Sequence, residues 1–183
     1  ESEMQRLDRE LDGFAEQNVP EYKKLTDPEK EAVRATLRSA RAQGIALKDQ
    51  ILFARIAAKS GMNIIVEPTL KNDDPARFDG RNTVYINASA PKTRLYSGLL
   101  GHEVWHKLFR YDKAKKLFVQ AFNNIDEKKR DEVITRYVNE EQKRGRDFVG
   151  SVKVSYEEVA AAYAEELFNT PGVWSFILDG EPS

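Results

Sequence analysis

The sequence predicts an α+β domain, mainly helical, with a small mixed or antiparallel sheet packed on a helix that carries both histidines. Three observations predict it. Apolar residues recur at helical spacing through residues 1 to 60, the period shortens to that of strands at Asn63 to Glu67 and Thr83 to Asn87, and helical spacing returns from Leu95. At 183 residues the chain is about one domain by length, large enough to bury a core without disulfides or oligomerisation.

Met4, Leu7, Leu11 and Phe14 make the narrow stripe of a first helix, ended by Asn18, Val19 and Pro20. A second opens at Thr26-Asp27-Pro28, a capping side chain ahead of a proline suited to the first turn, and closes near Gly44. Leu47, Ile51, Phe53, Ala54 and Ile56 carry a third, ended by Gly61. Asn63 to Glu67 is short, apolar and β-branched between Gly61 and Pro68, which predicts a buried strand. Asp73, Asp74 and Pro75, then Asp79 and Gly80, mark turns around the alternating strand Thr83 to Asn87. Beyond the histidine helix, helices are expected near Asp112 to Asn123 and Asp126 to Arg144, and a loop or short β segment over Gly145 to Val154. A helix capped by Ser155 runs to Phe168, and Pro171 to Leu178 reads as a last apolar turn or helix. Residues 1–183 are thus expected to form a single domain, with 1–60 an N-terminal helical part and 61–178 the core.

Lys and Arg number 29 against 30 Asp and Glu, a net charge of -1, with no clustered basic face of the kind nucleic acid requires. The runs Lys113 to Lys116 and Lys128 to Arg130 lie in amphipathic patterns with acidic neighbours and read as solvated faces. Absence of cysteine excludes a disulfide scaffold and favours a reducing, cytoplasmic setting. No apolar run approaches the roughly 20 residues that span a bilayer, and no signal peptide is visible. The chain begins at Glu1 and not at Met, as an excised domain or processed product does, so a targeting segment could have been removed. A monomer without membrane or nucleic-acid partners is expected.

Both histidines sit four apart around a glutamate, in His102-Glu103-Val104-Trp105-His106. Positions i and i+4 share a helix face, so two imidazoles can grip one metal, and this HExxH pattern is the signature of zinc peptidases. Glu103 is then the general base on a metal-activated water. With no other His and no Cys, the site must be completed by a carboxylate. The competing reading is a solvated His, Glu, His face on an ordinary surface helix. Against it, Leu95, Leu99 and His102 follow i, i+4, i+7 spacing with His106 one turn on, so the histidines extend an apolar stripe. Gly98 and Gly101 each cost such a helix about 1 kcal/mol against alanine, which suggests close packing of backbone or ligand there.

Candidates for the third ligand lie between Ser155 and Phe168, where small alanines permit close helix approach and the first turn carries Glu157 and Glu158. Glu140, Glu165 and Glu166 are further carboxylates within the ligand set. A purely structural role competes at Glu158, because Ser155-x-x-Glu158 is also a capping box. Tyr111, Tyr156 and Tyr163 could serve as oxyanion donors, although helical spacing also suits Tyr163 to a core, as it does Trp105.

Residues 79–87, 99–106 and 158–168 together resemble the zincin-like metallopeptidase domains of large polyvalent proteins of mobile elements and, more loosely, the ImmA/IrrE peptidases. The resemblance spans residues 64 to 168, with HExxH its specific part. It implies a gluzincin-type site: Zn2+ held by His102, His106 and Glu158, Glu103 as base, and a protein or peptide substrate. In such domains the third glutamate is commonly followed four residues later by Asp or Asn, which orients a ligating histidine. Ala162 stands at that position here, and Ala161 does if Glu157 is the ligand. A strand just before the active-site helix commonly receives extended substrate by edge addition, which makes Thr83 to Asn87 the candidate edge, with an ordinary inner strand as the equal alternative because propensity does not separate edge from centre. The expected function is zinc-dependent endopeptidase activity; the alternative is a non-catalytic zincin-fold protein-interaction domain.

Overall fold

A computed structural model describes residues 1–90, 96–108, 126–129, 131, 132, 135, 139, 164, 165, 168, 169, 174 and 178. The chain divides into two compact units, Glu1–Tyr96 with Trp174–Ser183, and Ser97–Val173. Its class is mixed helix and sheet.

In the first unit, helix α1 (Glu3–Asn18) opens with a capping box, in which Ser2 and Gln5 satisfy each other's backbone N–H groups. Of its predicted stripe Leu11 is buried, Leu7 and Phe14 are half-buried and Met4 is exposed, and Ala15 is buried as well. Helix α2 (Asp27–Ala42) starts at the expected cap, where Thr26 and Glu29 form a second box ahead of Pro28. Helix α3 (Leu47–Ser60) ends at Gly61, whose φ of 68° is the left-handed conformation that a side chain resists. A short 3-10 turn at Tyr22–Lys24 joins the first two helices. Its Tyr22 is buried, with the hydroxyl donating to Asp12, and Arg34 Nη1 reaches the same carboxylate oxygen at 3.0 Å.

Strand β1 (Asn63–Glu67) and strand β3 (Thr83–Asn87) fall at their predicted bounds, with β2 (Ala76–Phe78) between them in sequence. In space the order is β1-β3-β2: β1 pairs with β3 in parallel, Ile64 opposite Val84 and Val66 opposite Ile86, and β2 joins antiparallel. Ile64, Val66, Val84 and Ile86 are buried, while Asn63, Ile65 and Glu67 are half-buried, so β1 is fully covered on one face only. Helix α2 packs on β1 and on α3. Two hydroxyls of α2 close the outer edge of β1, with Thr36 Oγ1 accepting from Ile64 N–H at 3.1 Å and Ser39 Oγ from Val66 N–H at 3.0 Å. Asp79 builds the β2–β3 turn, its carboxylate accepting from the N–H groups of Arg81, Asn82 and Thr83.

The sheet corrects one expectation. Thr83 to Asn87 is not an edge but the central strand, flanked on both sides. The strand that covers it, Ala76–Phe78, is three residues long with an arginine at its centre, too short to show a period of two.

Helix α4 (Tyr96–Leu108) carries the histidines, and its first residue stacks edge-on against Phe53, with ring centres 5.4 Å apart. Among the described residues, 127, 128, 129, 131, 132, 135 and 139 are helical, as expected of the segment after Asp126, and Asp126 accepts from Lys128 N–H at 2.8 Å. No helix of the described residues is long and apolar enough to cross a membrane.

Candidate metal centre

The site is built on the middle of α4. Leu99 and Leu100 are buried, and the HExxH residues follow on the next turn. His102, Trp105 and His106 are half-buried, and Glu103 is 8% exposed. Among the described residues Glu103 is the only charged side chain in the buried class. Carboxylates are rarely so enclosed.

The two imidazoles have ring centres 5.1 Å apart and planes inclined at 56°. A metal about 2.0–2.1 Å from one nitrogen of each ring lies about 3.2 Å from either ring centre, and at a tetrahedral angle the two centres then stand about 5.2 Å apart. The observed pair fits that requirement.

On the same helix, Gly98 and Gly101 meet a second segment. A Cβ at Gly98 would lie 2.0 Å from Asn169 Oδ1, and one at Gly101 would lie 2.3 Å from Phe168 Cδ2 and 2.6 Å from its Cβ. The close packing inferred from these glycines is therefore present, with side chains filling the space. One turn on, His102 Nδ1 stands 3.4 Å from Glu165 Oε1, both side chains 15% exposed. The pairs 98 with 169, 101 with 168 and 102 with 165 run in opposite numerical order, so the two segments pass antiparallel. Asn169 N–H donates to Glu165 C=O at 3.1 Å, a helical i to i+4 bond that holds Glu165 and Asn169 on one turn.

His102 and His106 are thus brought together as the i, i+4 spacing requires, and the buried Glu103 lies on the same turn of α4. Glu158, the expected third ligand, lies outside the described residues, as do Glu140, Glu157, Ala161, Ala162, Glu166, Tyr111, Tyr156 and Tyr163. Among the described residues no group of three His, Asp or Glu is placed to hold a metal. The chain matches no family profile, no curated protein and no solved structure. The contact that sequence reasoning missed is the one between His102 and Glu165. The sequence offers Glu165 as one of several candidate carboxylates, and the glycine pair predicts a close neighbour without naming it.

Proposed function

We propose that this chain is a zinc-dependent endopeptidase domain, in which His102, His106 and Glu158 hold the metal and Glu103 is the general base. The observation that carries the reading is the pair of imidazoles with ring centres 5.1 Å apart, on the helix turn that also carries the buried Glu103. Zinc, when bound, supplies a Lewis acid for the scissile carbonyl and lowers the pKa of water to about 7. Glu103 takes a proton from the attacking water on a carboxylate oxygen as the water oxygen bonds to the carbonyl carbon. When the C–N bond breaks, the same oxygen passes that proton to the departing nitrogen. Enclosure of Glu103 keeps bulk water from intercepting the proton between the two steps.

Metal content of protein purified without added zinc, measured by mass spectrometry beside His106→Ala and Glu158→Ala, tests this. About one equivalent in the parent, lost in both variants, is expected. Zinc kept by Glu158→Ala moves the third ligand elsewhere, and a parent that takes up none after reconstitution leaves the non-catalytic interaction domain as the reading.

A further inference from the structure

We propose that Glu165 is a positioning residue for His102, holding the ring as the tautomer with its proton on Nδ1 and leaving Nε2 as the lone-pair donor. The role of Nε2 toward a metal rests on the proposed zinc site; the tautomer itself does not. An ionised carboxylate only accepts hydrogen bonds. Glu165 Oε1 stands 3.4 Å from Nδ1, with both groups 15% exposed. Although the pair falls outside hydrogen-bond geometry, a carboxylate at that distance favours the tautomer that turns an N–H dipole toward it over the one that presents a lone pair. Such a carboxylate–histidine pair fixes both tautomer and ring orientation and makes the opposite nitrogen a better donor.

The packing makes the arrangement specific. Phe168 and Asn169, one turn beyond Glu165, fill the spaces left by Gly101 and Gly98, so the two segments approach as closely as glycine permits where the carboxylate reaches the ring. On the helix predicted from Ser155 to Phe168, residues 158 and 165 are seven apart and share a face.

The chain has two histidines, so the imidazole nitrogens of 15N-labelled, metal-free protein give two ring patterns, assigned with His106→Gln. Spectra are read well above the ordinary imidazole pKa of about 6.5. The parent is expected to show His102 protonated on Nδ1. In Glu165→Ala that ring returns to the Nε2-protonated form, and zinc affinity by chelator competition falls about 10- to 100-fold with the stoichiometry unchanged. Glu165→Gln keeps the size and an acceptor oxygen, serves as the variant least disturbing to folding, and should fall between the two. A His102 tautomer indifferent to both substitutions overturns the proposal. So does abolition of zinc binding in Glu165→Ala to the extent seen in His106→Ala, which would make Glu165 a ligand. If the parent binds no zinc, the zinc reading fails while the tautomer comparison still decides the role of Glu165.

Discussion

Thr36 accepts a hydrogen bond from the backbone N–H of Ile64 at 3.1 Å while its own hydroxyl donates to the Ala32 carbonyl at 2.8 Å. The Oγ1 atom therefore ties the outer edge of strand β1 to a turn of helix α2, in a position with no exposure to solvent. Alternate N–H groups of an edge strand point away from its partner and, if buried, need acceptors from outside the sheet. Ser39 repeats the device at Val66. Thr36→Val keeps the shape and removes the acceptor, leaving the Ile64 N–H unsatisfied, so a loss of about 1–3 kcal/mol is expected. Thr36→Ser keeps the acceptor and should lose only the methyl burial, about 1 kcal/mol. Urea unfolding checks this; no loss in Thr36→Val beside a loss in Thr36→Ser would show that the methyl and not the hydroxyl matters.

This hydrogen bond also marks where sequence reading stops. The bounds of Asn63–Glu67 and Thr83–Asn87 were legible because β-branched residues between turn formers encode a strand locally. Thr26 and Pro28 encode a helix start in the same way. Strand order is a non-local property, and the three residues of Ala76–Phe78 carry no pattern from which the central place of Thr83 to Asn87 could be read. The same contrast holds at the site. His102, Glu103 and His106 are set by spacing within one helix, whereas Glu165 could be read only as one of several carboxylates until Gly98 and Gly101 were seen to admit Asn169 and Phe168.

Tyr22 predicts an alkaline limb of stability. Burial, and then the hydrogen bond and charge of Asp12, push the phenol well above its ordinary value of about 10. The folded state keeps the proton through a range in which the unfolded chain gives it up, so stability falls with rising pH above about 10 and is fully present below it. Tyr22→Phe should cost about 1–2 kcal/mol at neutral pH through the lost bond to a charged acceptor. That difference should shrink as pH rises above about 10. Denaturant midpoints of parent and variant at neutral pH and above pH 10 test it; a constant difference would refute the assignment.

Gly98→Ala and Gly101→Ala should part company although both remove a helical glycine. Alanine favours the helix by about 1 kcal/mol in each case. At Gly98 the obstacle is the amide end of an exposed Asn169, which can rotate into solvent, so the net change should be small. At Gly101 the new methyl meets Phe168 down to its Cβ, which moves only with the backbone, and overpacking of this kind costs about 1–3 kcal/mol. Thermal midpoints should therefore fall for Gly101→Ala and stay near the parent for Gly98→Ala. Gly101→Ala should also weaken zinc binding, because the displaced segment carries Glu165 away from His102. A normal zinc affinity in a destabilised Gly101→Ala would separate packing from positioning.

Glu103→Gln distinguishes chemistry from architecture at the buried carboxylate. A group enclosed to 8% exposure is costly to keep charged. If Glu103 were there to hold the fold, replacing it with a neutral amide of the same size would break its contacts and lower stability, by about 3–5 kcal/mol for a buried pair. If it is there to move a proton, the amide keeps the size and part of the hydrogen bonding, stability changes by about 1 kcal/mol or less, and the power to accept a proton is gone. The expected result is a thermal midpoint near the parent's, zinc content unchanged, and hydrolysis of a fluorogenic peptide library reduced about 10²–10⁴-fold. A collapse of stability with Glu103→Gln would assign the residue to the core, and the catalytic reading would lose the observation that carries it.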